Sequence, residues 1–200
     1  MALGEHLKLC ILVGRVLKTI YSPTGLKHAT DEQLESLVMD FETWFTDLPD
    51  QLRYKGPESS HNAGECSVSW SITVMSANIH VGLLHLGHCA LQFLFWRVFM
   101  RITHTLPSHV NFHLTTERWS TLVQWSRESI DWLHHNNIVL DSLFIYPYTA
   151  TSAALIQYHT WVRRMDPAAL DALKVAKEVA SEWERIVQPG KSKSTRHGVQ

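Results

Sequence analysis

The sequence predicts an all-α fold, an irregular multi-helix bundle of about six helices around a long central helix. Three observations lead there. Nine Gly and seven Pro in 200 residues are too few for a turn-dense β protein. Apolar residues recur at three- and four-residue steps along most of the chain, which places them on one face of a 3.6-residue helix. Helix-start signals (Thr30 with Gln33, Thr115 or Thr116, and Asp166 with Pro167) stand where those runs begin.

The first helix is expected over Leu3 to Tyr21, with Leu3, Leu7, Cys10, Ile11, Val13, Leu17 and Ile20 inward, and Ser22-Pro23-Thr24-Gly25 ends it. The second starts at the Thr30 capping box, carries Asp31, Glu32 and Glu35 in its first turns and closes at Pro49. Its inward stripe is Leu34, Leu37, Val38, Phe41, Trp44, Phe45 and Leu48. Seven acids and no Lys or Arg lie between His28 and Leu52, which reads as a solvated helix face, with a docking surface for a basic partner as the alternative. A polar connection, expected to be flexible, follows over about 50–67.

The central helix carries Ile72, Met75, Ile79, Leu83 and Leu86, then Leu91, Leu94, Phe95, Val98, Phe99 and Ile102, with Gly82 and Gly87 as candidate bend points. From Cys66 to Trp96 there is no Asp, Glu, Lys or Arg, a length that could span a bilayer. Ten polar side chains within it, among them Ser76, Asn78, His80, His85, His88 and Gln92, favour a helix buried among other helices and no membrane partner. A helix with Trp119, Leu122, Val123, Ser126, Ile130 and Leu133 inward follows, and another runs from the Asp141 to Pro147 region to Met165. The last begins at Asp166-Pro167, buries Leu170, Leu173, Ala176, Ala180, Trp183 and Val187, and stops at Pro189-Gly190. Residues 1–188 therefore read as one helical domain, and 189–200 as a basic, disordered tail.

Composition narrows function by exclusion. Eighteen Lys plus Arg against nineteen Asp plus Glu leave a formal charge of -1, so direct nucleic-acid contact by this segment is not expected. Cys10, Cys66 and Cys89 form neither a disulfide framework nor a paired zinc pattern, and no secretory signal is recognisable, so an intracellular location is expected. His85, His88 and Cys89, at i, i+3 and i+4, could share a metal ion or activate a thiol. Against this, no fourth ligand stands at a recognisable spacing, and adjacent His88 and Cys89 point about 100° apart. The Gly82 to Cys89 stretch imitates the glycine spacing of a phosphate loop but lacks its Lys and Ser/Thr. No catalytic residue, cofactor or metal ligand is therefore assigned. A small helical metal- or thiol-dependent enzyme using His85, His88 and Cys89 stays as the alternative. Arg97 and Arg101, four apart after Phe95-Trp96, could bind an acidic ligand, or solvate a helix end.

Three stretches support a comparison that periodicity does not. Leu9 to Ser22 ends in Ile20-Tyr21-Ser22. Leu34-Glu35-Ser36-Leu37 is followed by Asp40-Phe41-Glu42-Thr43-Trp44 and Leu48-Pro49-Asp50-Gln51-Leu52. His85 leads through Leu91-Gln92-Phe93-Leu94-Phe95-Trp96-Arg97-Val98-Phe99. In order and separation, and less distinctly through Gln157-Tyr158-His159-Thr160-Trp161, they resemble the regulatory domain, or middle homology region, of fungal binuclear zinc-cluster transcription factors, over roughly Leu7 to Met165. The resemblance implies a non-catalytic, nuclear module acting in regulation of transcription, with the transcription machinery or another copy of the factor as partner. It also implies that zinc belongs to a DNA-binding region absent from this chain, which then reads as a fragment. A small-molecule effector is a further candidate partner, and its pocket is expected near His85, His88, Cys89 and Trp96, with Arg97 at the rim.

Overall fold

The computed structural model describes residues 2–56, 71–100, 106–136 and 145–187, with side chains described except at 71–78, 145 and 186–187. Among these residues there are seven α-helices and no strand: α1 Ala2–Val16, α2 Gly25–His28, α3 Asp31–Asp47, α4 Ser71–Trp96, α5 Thr116–His135, α6 Ile145–Arg164 and α7 Pro167–Val187. The all-α expectation holds, and the short α2 is the helix that periodicity did not foresee. α4 is the long central element. It packs on α1 and α3 on one side and on α5 and α6 on the other, while α7 closes the far side against α5 and α6.

The caps follow the sequence signals. Thr30 Oγ1 accepts from the Gln33 N–H (3.3 Å) and Gln33 returns its side chain to the Thr30 N–H (3.2 Å), satisfying two donors that helix geometry leaves open. Thr115 accepts from the Arg118 N–H (3.3 Å), and Asp166 from the Ala168 N–H (3.0 Å). α1 runs on into a single π-helical turn, Leu17–Tyr21, before the expected break at Ser22. α4 stops at Trp96, and residues 97–100 add one hydrogen-bonded turn in which the Phe99 and Met100 N–H groups donate to the Trp96 carbonyl. Ile102, Cys66, Arg101, the tail 189–200 and most of the connection after Gly56 lie outside the described residues. The start of that connection is a 3-10 turn, Asp50–Leu52, that docks on α4 and is fastened by Arg53, whose Nε donates to the Leu48 carbonyl (2.8 Å).

The acidic row of α3 is used for tertiary ties. Asp40 pairs with Arg15 of α1 (2.5 Å), Glu42 pairs with Arg118 of α5, and the Asp31 carboxylate accepts the backbone N–H groups of Asn111 and Phe112. The aromatic core that composition implied lies between α3, α4 and the connector before α5. Phe95 meets Phe41 edge-on at 5.4 Å and Phe112 at 5.9 Å, and Trp96 stacks on Phe112 at 5.5 Å.

Two inward faces differ from expectation. On α1 and the π-helical turn after it the buried residues are Leu9, Leu12, Val16 and Ile20, while Leu3, Leu7, Cys10, Ile11 and Leu17 are exposed. This helix is apolar around more than half its circumference, and α3 and α4 select which part is covered. On α7 the buried stripe is Ala169, Ala172 and Val179, with Leu170 and Ala180 outside. Small alanines let α7 approach α5 and α6 closely, which turns the helix about one position from the face chosen by hydrophobicity. Phe45 of α3, expected inward, is exposed along one edge but stacks on His88.

α6 is followed by Met165, the one non-glycine residue with positive φ (52°) among those described. The left-handed region costs an L-residue about 1–2 kcal/mol, part of which Gly returns through unfolded-state entropy. Met165→Gly is expected to raise stability by about 0.5–1 kcal/mol; an unchanged or lower urea midpoint would contradict this.

Candidate functional site

The residues singled out from sequence occupy one region of α4, where helical spacing divides them between two neighbouring surfaces. His85 and Cys89, four apart, touch: Cys89 Sγ lies 3.6 Å from His85 Nε2. The same nitrogen stands 3.7 Å from Glu128 Oε2 on α5, and Tyr54, just after the 3-10 turn, stacks on the His85 ring at 4.4 Å. His88 faces another way. Its ring stacks on Phe45 (4.9 Å) and Trp44 (5.5 Å) and meets Trp125 edge-on (5.0 Å). Gln92, one turn on, donates to His88 Nε2 (3.3 Å), and its carbonyl accepts from the Trp96 indole (3.1 Å). His88, Gln92 and Trp96 thus form a polar ladder inside an apolar helix. With Nε2 accepting, Nδ1 carries the hydrogen, and that buried atom has no partner among the described residues.

Burial sets the electrostatics. His85, His88, Cys89, Gln92 and Trp96 are all buried, whereas Arg97, on the turn after α4, is exposed. Loss of solvent pushes His85 down to about 4, and burial plus the neighbouring His85 pushes His88 down to about 3. Burial raises the Cys89 thiol to about 12, against the smaller lowering effect of its hydrogen bond with Ser129. Tyr54 is likewise raised to about 12, by burial and then by Glu128 and Asp131. At neutral pH both rings are neutral and Cys89 is a thiol, so the His85–Cys89 contact lacks the thiolate that nucleophilic chemistry uses. Among the described residues no three His, Cys, Asp or Glu side chains converge on a point where a metal ion could sit.

Cys89 is therefore expected to resist alkylation in the folded chain while exposed Cys10 reacts. Peptide-mapped labelling checks this, and native-state labelling of Cys89 at the rate of Cys10 would contradict it.

Four clefts walled by described residues have none of His85, His88, Cys89, Trp96 or Arg97 in their lining. The largest of the four, about 660 Å³, lies between α1, α2 and α3 and is lined by Arg15, Lys18, His28 and Glu32 among others. A second, about 550 Å³, lies between α5 and α6 beside Arg127, Glu128, Arg164 and Asp166. Sequence reasoning missed Tyr54, Glu128, Trp44 and Trp125, which reach the site from other elements. Gln92 was legible, because His88, Gln92 and Trp96 are spaced by four.

Fold and site together define a multi-helix, all-α domain whose central helix carries a buried seam of neutral polar groups. Its segment Ile79–Trp96 is long and apolar enough to cross a membrane, and 67% of it is buried inside the chain. The chain matches no known protein-family model, no curated protein and no solved structure.

Proposed function

We propose that this chain is the regulatory and interaction region of a fungal transcription factor, non-catalytic and nuclear, whose DNA-reading zinc cluster resides in other residues. The observation that carries the interaction reading is the distribution of side chains. His85, His88 and Cys89 are turned inward and held in their neutral forms, while apolar side chains of α1 and α6 face outward. The transcriptional setting rests on the motif resemblance over Leu7 to Met165. The partners proposed are the transcription machinery or another copy of the factor, with a small-molecule effector acting by population shift, since an effector changes output only if it binds one helix arrangement more tightly than the other.

The test joins the chain to an unrelated DNA-binding domain placed upstream of a reporter gene. Output should rise or fall relative to the DNA-binding domain alone, and identical output would overturn the reading. The thiol-enzyme alternative draws on the 3.6 Å contact between His85 and Cys89, and is weaker because burial moves both groups away from their reactive forms.

A further inference from the structure

Ser22 is the one Ser or Thr of the chain that stands directly before a proline; none of the other six prolines follows a hydroxyl side chain of that kind. Proline pushes its predecessor out of the helical region, and Ser22 is extended (φ -67°, ψ 155°) where the π-helical turn Leu17–Tyr21 ends. Ser22 is itself partly exposed, and Tyr21, Pro23 and Thr24 around it are exposed. The break that stops the first helix therefore presents a hydroxyl group at the surface on an extended step of backbone.

The surroundings of that hydroxyl favour negative charge. Between Glu5 and Asp31 the chain carries Lys8, Arg15, Lys18 and Lys27 and no Asp or Glu. Ser22 lines the cleft of about 660 Å³ between α1, α2 and α3, and shares its walls with Arg15, Lys18 and His28, against Glu32 as the one acid of the lining. Lys18 and His28 are exposed and in no ion pair among the described residues, while Arg15 pairs with Asp40. Ser22 Oγ donates to the Lys18 carbonyl (2.8 Å), and a Cβ on Gly25 would lie 2.7 Å from the same oxygen. A side chain at position 25 would displace the hydroxyl, and glycine leaves it in place on the cleft wall.

We propose that Ser22 is a phosphorylation site for a proline-directed protein kinase, and that this cleft seats the phosphate. In the transfer Ser22 Oγ attacks the γ-phosphorus of Mg²⁺-bound ATP, its proton passes to the base of the kinase, the bond from that phosphorus to the β,γ-bridging oxygen breaks, and ADP leaves. The product carries a charge of about -1.5 to -2 and three acceptor oxygens. The bond to the Lys18 carbonyl disappears with the hydroxyl hydrogen. In its place the phosphate takes the Lys18 ammonium, four residues back, and His28 from α2, and competes with Asp40 for Arg15. The end of the first helix opposes the dianion with about half a negative charge, and Glu32 adds to it; the cations of the 6–30 stretch outweigh both, so the phosphate stays on the cleft. This goes beyond the regulatory reading and does not depend on the transcriptional setting.

The test incubates the full chain with Mg²⁺-ATP and a purified mitogen-activated protein kinase, maps the product by peptide mass spectrometry and follows it by ³¹P NMR against pH. A single phosphate should appear, on Ser22. Ser22→Ala should abolish it, and Pro23→Ala, at an exposed position, should slow it at least tenfold. The second ionisation of phosphoserine, about pH 6 in an unstructured chain, should fall at lower pH in the folded protein than in the same phosphorylated chain unfolded in urea. Lys18→Glu, also at an exposed position, should cancel that difference. No incorporation, phosphate on Thr24 or elsewhere in preference to Ser22, or a rate indifferent to Pro23 would overturn the site. A phosphoserine that titrates alike in the folded and unfolded chain, or a difference that survives Lys18→Glu, would overturn the seat.

Discussion

Acidification from neutrality to about pH 5 is expected to remove about 4 kcal/mol of folding stability, about 2 kcal/mol from each of His85 and His88. The sign follows from linkage. Both rings titrate near 6.5 when unfolded and lower when folded, at about 4 for His85 and about 3 for His88. The unfolded chain therefore takes up protons first as pH falls, and stability complete above pH ~6.5 declines through the window down to those folded values. Burial is the cause that lowers both rings, although Glu128 stands within ion-pair range of His85 at 3.7 Å; His88 is enclosed by Trp44, Phe45 and Trp125. For a domain of ordinary stability, 5–15 kcal/mol, such a loss is a large share of the total. The readout is the difference in unfolding free energy between about pH 7.5 and pH 5. His88→Phe keeps a flat ring in the same stack and should remove about half of that difference, whatever it does to stability at neutral pH. A variant with the same pH slope as the parent would sink the assignment.

How far the sequence could be read follows from the kind of information each feature needs. Caps are local, so Thr30 with Gln33, Thr115 and Asp166 announced α3, α5 and α7. The i to i+4 contact of His85 with Cys89, and the ladder through Gln92 to Trp96, are local in the same sense. Which face of an apolar helix is covered is not local. α1 offers Leu3, Leu7 and Ile11 as well as Leu9, Leu12 and Val16, and only the placement of α3 and α4 decides between them. α7 turned on the small size of Ala169 and Ala172, which hydrophobicity ranks below Leu170. The surroundings of the candidate residues are not local either. Trp44, Phe45 and Trp125 pack on the His88 ring and Tyr54 stacks on His85, contacts that the spacing along α4 does not carry.

The two glycines of α4 make the sharpest structural contrast, and they should behave oppositely when given a methyl group. The helix runs continuously through both, and each marks a close approach by another element. A Cβ on Gly82 would lie 2.1 Å from the Trp132 indole of α5, while one on Gly87 would lie 3.2 Å from a Leu9 methyl of α1. Trp132 cannot easily yield, since it is buried and stacked beside Tyr146. Gly82→Ala should therefore cost about 2–3 kcal/mol through overpacking, even though alanine is the better helix former by about 1 kcal/mol. At Gly87 the opposing atom is the free end of a rotatable side chain, so Gly87→Ala should stay within about 1 kcal/mol of the parent, the propensity gain offsetting a small shift of Leu9. Urea unfolding of both variants supplies the comparison, and equal losses would contradict the packing account. Trp132→Phe places a smaller ring opposite Gly82 and, combined with Gly82→Ala, should destabilise less than the two single changes summed, by about 1–3 kcal/mol. Simple additivity would place the cost of the methyl group somewhere other than its contact with Trp132.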